Sequence, residues 1–240
     1  MMLDFYADLS PNLKASLIVI VALSILSIVI GRKVAKLNPK DTPKGLVFIA
    51  VLLVEMLNDF IKEFYGKRWK TFTPILVAVL LYLVFANTSA LFGLANPLAN
   101  ITIALSFSLF AFLTIQLGGL YIRKPKNRIK DLATPNVLLM PLNVISEIST
   151  PLAMGLRLFG NLLSGSVMAV VVFNLLHILG DALGTVGAVL STAGNISIAA
   201  LFLHPIFNIG FGIVQAFVYF MLLTIFLSMA IEEPDMATDE

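Results

Sequence analysis

Arg157 is a fixed cation in a stretch otherwise written for hydrocarbon. It lies in Pro151-Leu-Ala-Met-Gly-Leu-Arg157-Leu-Phe-Gly160-Asn161-Leu-Leu-Ser164-Gly165, inside an apolar run of residues 132–179 whose only other formal charge is Glu147. Arginine keeps its proton at any biological pH. In lipid that charge costs about 2.5–3.5 kcal/mol on insertion scales unless the side chain meets a partner or a wet cavity. The chemistry open to it is electrostatic: held beside a carboxylate, a cation favours the ionised form and so governs proton release. A tethering role, with the guanidinium satisfied by backbone carbonyls or by Glu147, is the alternative. Helical spacing at about 100° per residue puts Glu147, Thr150, Arg157, Asn161 and Ser164 on one side, which favours the first reading. Gly155, Gly160, Ser164 and Gly165 are small enough to let another helix approach closely.

A second polar stripe lies near the end of the chain, where Asn208, Gly212, Gln215 and Tyr219 are spaced to share a helical face. Taken alone, such a stripe is as consistent with interhelical hydrogen bonding as with a path for ions. Antiparallel neighbours joined by a short turn pack together, which sets this stripe opposite the Arg157 helix and makes a hydrated path between them the better account. His177 and Asp181 are spaced as a surface pair near the intervening turn. His204, before Pro205, is a candidate proton relay, and two histidines so placed make a weak metal site.

The elements that must position these residues follow from composition. The chain has 240 residues, 59% of them hydrophobic and 12% charged, against about a quarter charged in soluble domains. It reads as an all-α polytopic membrane protein forming a single membrane domain over 1–240. Cysteine is absent, which excludes disulfides, thiolate metal sites and cysteine nucleophiles. Phosphate loops, metal-ligand spacings and nucleophile–base pairs are also missing, so no cofactor, metal or nucleic acid is expected, and the chain is not expected to catalyse a reaction on its own.

Residues 1–14 form a short acidic N-terminus with no cleavable leader, and 13–31 a first span. The basic cluster Arg32, Lys33, Lys36, Lys40 and Lys44 marks the cytoplasmic side and puts the N-terminus outside. Segment 45–66 is amphipathic, with Leu53, Leu57, Phe60, Ile61 and Phe64 opposed to Glu55, Asp59, Lys62 and Glu63, and reads as a helix on the cytoplasmic surface. Residues 71–122 carry no Asp, Glu, Lys, Arg or His. Turn signals at Asn87-Thr-Ser, Gly93 and Asn96-Pro97 divide them into spans at 71–92 and 99–122. The basic loop 123–131 is cytoplasmic under the same rule. Two apolar stretches, 132–178 and 187–231, exceed the roughly 20 residues of an upright span and are expected to be long, steeply tilted helices forming an antiparallel hairpin. The acidic tail 232–240 ends in the cytoplasm. The expectation is five membrane helices plus one surface helix.

Gly155-Leu-Arg157-Leu-Phe-Gly160-Asn161, the downstream Gln215-Ala-Phe, and Leu-Ser228-Met-Ala before an acidic end resemble subunit a of the bacterial rotary ATP synthase. Val54-Glu55 through Gly66-Lys-Arg, Phe85-Ala-Asn87 and Pro97-Leu-Ala-Asn100-Ile-Thr extend the resemblance over essentially the whole chain. It implies a multi-pass protein of the bacterial cell membrane, partnered by the c-ring and by peripheral-stalk b subunits. In that role Arg157 would be the stator arginine facing the ring carboxylate, blocking proton leak between two offset half-channels. The outer half-channel would be lined by Asn87, Asn100, Asn161, Ser166, His204, Asn208 and Gln215, the inner one by Asn143, Ser146, Glu147 and Thr150. Ser166, Asn208 and Asn100 stand where relatives often carry titratable groups, which implies an outer path of water and neutral hydrogen-bonding groups, with His204 as the nearby titratable residue. The competing reading is an independent transporter or channel whose arginine binds an anionic substrate. Such proteins often show inverted repeats and paired interrupted helices, neither of which appears in this sequence.

Overall fold

The computed structural model describes residues 10–36, 44–122, 138, 140–182 and 210–231. Six α-helices carry the described chain: α1 (Pro11–Ala35), α2 (Leu46–Tyr65), α3 (Trp69–Thr88), α4 (Ile101–Ile122), α5 (Met140–Ala182) and α6 (Gly212–Ile231). Five helical stretches are long and apolar enough to cross a membrane, α2 and α3 counting as one run of 43 residues. The all-α, multi-span fold class is the one expected from composition.

Local chemistry sets most of the boundaries. Ser10 accepts a hydrogen bond from the Leu13 amide through its hydroxyl while Pro11 takes the first helical position, so α1 starts with its orphan donors partly satisfied. Gly66, at φ 50°, lies in a region that favours glycine and separates α2 from α3 through a single 3-10 turn, Gly66–Arg68. The turn signals of the sequence coincide with 3-10 turns at Ser89–Phe92 and Pro97–Ala99, with Gly93 at φ 72° between them. Helix α2 is amphipathic in the register expected: Leu57 and Ile61 are buried, Leu53, Phe60 and Phe64 pack against the core, and Glu55, Asp59 and Glu63 are exposed.

The core lies where α3, α4 and α6 meet, with α2 and α5 closing its sides. Leu76 and Leu83 of α3, Ala111 of α4, Met154 and Leu158 of α5, and Phe220, Leu223 and Leu227 of α6 form one buried cluster. Polar side chains within it reach backbone carbonyls on other helices. The Tyr65 hydroxyl donates to Thr224 O at 2.9 Å, and the Tyr219 hydroxyl to Phe107 O at 2.7 Å. Where no water is present, an unpaired hydroxyl costs several kcal/mol, so these bonds fix which helix faces which. Helix α1 is peripheral. It buries only Ala15, Ser16 and Val19, and a 2.7 Å hydroxyl pair between Ser16 and Tyr82 ties it to α3.

Candidate functional site

The site is built on α5, and α4 positions α5. At Gly155 the two helices are so close that a Cβ would fall 2.6 Å from the Ala104 carbonyl and into the Ser108 hydroxyl. Ser108 donates to Leu152 O at 3.4 Å. One face of α5, with Pro151, Met154, Gly155 and Leu158, is thereby buried against α4 and the core.

The opposite face carries the charge. Arg157 is exposed, and among the described residues it makes no hydrogen bond or ion pair. The tethering alternative therefore finds no tether here. Glu147 is ten residues earlier on the same helix, about 15 Å along its axis, too far to serve as a close counter-ion. Beside Arg157, Ser164 is exposed and Asn161 half-buried, and nothing lies within 4 Å of the place a Cβ would take at Gly160. Of the small residues expected to admit a neighbouring helix, Gly155 receives α4 and Gly160 opens outward.

Toward the N-terminal end of α5, Asn143, Glu147 and Thr150 are half-buried and Ser146 is exposed. Thr150 donates its hydroxyl to Ser146 O at 3.0 Å, a local bond within the helix. Glu147 has a partner on α4 that charge counting alone passed over: Gln116 donates from Nε2 to Glu147 Oε2 at 2.9 Å. The available signal was that Gln116 is the one amide side chain in 101–122.

The residues grouped as a second path are more dispersed. Asn87 is buried at the end of α3, and its Nδ2 donates to Leu83 O at 3.0 Å and to Gly212 O at 3.1 Å. Both amide hydrogens are thus engaged, and Gly212 has no Cβ because Asn87 occupies that space, with its own Cβ 2.7 Å from the position. Asn100 caps α4, its Oδ1 accepting from the Thr102 amide at 2.9 Å. Gln215 is half-buried on α6. Gly212 and Tyr219, expected opposite the Arg157 helix, are instead directed at α3 and α4. His204 and Asn208 lie outside the described residues, and so does the side chain of Ser166. No group of three or more His, Cys, Asp or Glu able to hold a metal occurs among the described residues.

Known proteins resemble the chain over most of its length. The profile of the ATP synthase A chain family matches residues 14–228. ATP synthase subunit a of Mycoplasmoides gallisepticum is 27% identical over 236 residues, covering 92% of this chain and 78% of the relative. The Staphylococcus carnosus subunit a is 26% identical over 243 residues, covering 95% and 94%. A third, from Oleidesulfovibrio alaskensis, is 28% identical over 198 residues, covering 80% and 76%. With nearly its whole length matched by one family and its arginine-bearing helix within that match, the chain belongs to the ATP synthase A chain family.

Proposed function

We propose that this chain is the proton-translocating stator subunit of a rotary ATP synthase, with Arg157 as the group that controls deprotonation of a carboxylate carried past it on the c-ring. The observation that carries the reading is the state of Arg157: a permanent cation in an apolar helix, exposed and without a partner among the described residues, with open space at Gly160 one turn on. A charge left so in lipid is costly. An anion on a neighbouring protein removes that cost and in turn has its own pKa lowered. Each ring carboxylate then releases its proton on reaching Arg157, and the same positive charge repels a proton that would pass straight across. Protons cross only by riding the ring, which couples their flow to rotation.

In this reading Asn143, Ser146, Glu147 and Thr150 line the path on the cytoplasmic side, while Asn87, Asn100, Asn161, Ser166, His204, Asn208 and Gln215 line the outer one. Asn87 and Asn100 serve that path mainly by holding α6 and the start of α4, since both spend hydrogen-bonding capacity on backbone groups. The chain sits in the bacterial cell membrane with its N-terminus outside and its C-terminus inside, α2 lies on the cytoplasmic surface, and b subunits complete the stator.

The test is Arg157→Ala in the assembled complex. ATP-driven proton pumping should be lost while the complex still assembles. Pumping at the unmodified rate in that variant would end the stator assignment.

A further inference from the structure

Gln116 and Glu147 form a hydrogen bond between two side chains that joins α4 to α5, 2.9 Å from Nε2 to Oε2. Both residues are half-buried. A bond of this kind could be simple glue, but the choice of an amide has a chemical consequence. When Glu147 is ionised, the amide N–H donates to it; when Glu147 carries a proton, the amide oxygen can accept that O–H in turn. A lysine or arginine in the same place would hold the carboxylate ionised, and a leucine would leave a half-buried carboxylate without this donor. An amide alone among these serves both protonation states without displacing the side chain.

We propose that Gln116 is a positioning residue for proton transfer through Glu147, keeping its carboxyl group at the α4–α5 seam as the proton arrives and leaves. This rests on the inner path proposed above and adds to it a residue on a second helix. Among the described residues, the elements packed against α5 carry few ionisable side chains. Helix α4 has no Asp, Glu, Lys, Arg or His, and its Tyr121, five residues beyond Gln116 at the same end of the helix, is exposed. The titratable residue of α6, Tyr219, is bonded to Phe107 O, and the 3-10 turn Pro97–Ala99 has none. On α5 itself the nearest charged group is Arg157, about 15 Å along the axis, with His177 and Asp181 farther still.

The experiment compares Gln116→Leu, Gln116→Glu and Glu147→Gln in the whole complex in membrane vesicles, recording ATP synthesis against the pH of the cytoplasmic side. Loss of the amide that steadies the carboxyl group should show in Gln116→Leu as a move of the acidic limb of the profile to higher pH by about one unit, the scale of one charge-assisted hydrogen bond. Gln116→Glu, which keeps the side chain's shape, should move it further in the same direction because two carboxyl groups within bonding distance share a proton. Should Gln116→Leu fail to assemble, the isosteric variant decides alone. A uniform loss of rate at every pH, with the limb unmoved in Gln116→Glu, would make the bond structural glue and overturn the proposal. Glu147→Gln separates this from failure of the path itself: a wild-type profile in that variant would remove Glu147 from proton transfer altogether, and Gln116 with it.

Discussion

The two faces of α5 differ sharply in what they meet. Toward α4 the helix is glycine and apolar side chain in direct contact with backbone, and polar groups at the seam find backbone partners: Ser108 bonds Leu152 O, and nearby Tyr219 bonds Phe107 O. Away from α4 the same helix presents Arg157, Gly160 and Ser164, a cation and two small residues with nothing built against them. The inner face obeys the rule that polar groups in lipid are satisfied within the chain. The outer face breaks that rule at its most expensive residue. An arginine left open on the outer face is what the proposed role requires, a cation available to a group outside the chain.

Two glycines five residues apart sharpen the contrast, because one substitution should act oppositely at each. The largest effect on stability belongs to Gly155→Leu, whose side chain would have to displace the Ala104 backbone and Ser108. Overpacking of this kind costs about 3 kcal/mol, seen as a clear fall in the thermal midpoint of the detergent-solubilised protein. Tyr219→Phe should cost about 1 kcal/mol, the net worth of one hydrogen bond to a carbonyl that stays in its helix, measured by the same unfolding experiment. Gly160→Leu should be the mildest, within about 1 kcal/mol of wild type and of either sign, since leucine is the better helix former and meets open space. Its cost should appear instead in the assembled complex, as reduced proton pumping at unchanged thermal stability. If Gly160→Leu destabilised the isolated chain as much as Gly155→Leu, the distinction between the two faces would collapse.

Much of this was legible before any coordinates. A permanent charge in a hydrocarbon run stands out in one sequence, so Arg157 and its stripe needed only helical periodicity. The same periodicity gave the amphipathic register of α2, and the turn residues between α3 and α4 marked the break. What periodicity does not supply is the identity of the neighbour. It placed Gly212 and Tyr219 on one face of α6, correctly, but that face meets Asn87 on α3 and Phe107 on α4, because helix rotation is settled by packing. Gln116 was passed over for a related reason: an uncharged amide in an apolar helix announces a hydrogen bond but not its partner, and the partner lies 31 residues away on another helix.

The central claim is that the open face of α5 lies against a ring of carboxylate-bearing helices. Since the chain has no cysteine of its own, one introduced at Asn161, a turn from Arg157, and a second on the outward face of a c subunit can be joined by oxidation in the assembled complex. The account predicts a crosslink that forms readily and stops ATP-driven proton pumping, reversed when the disulfide is reduced. Failure to crosslink from Asn161, with the purified chain moving solute across vesicles unaided, would contradict it and favour an independent transporter.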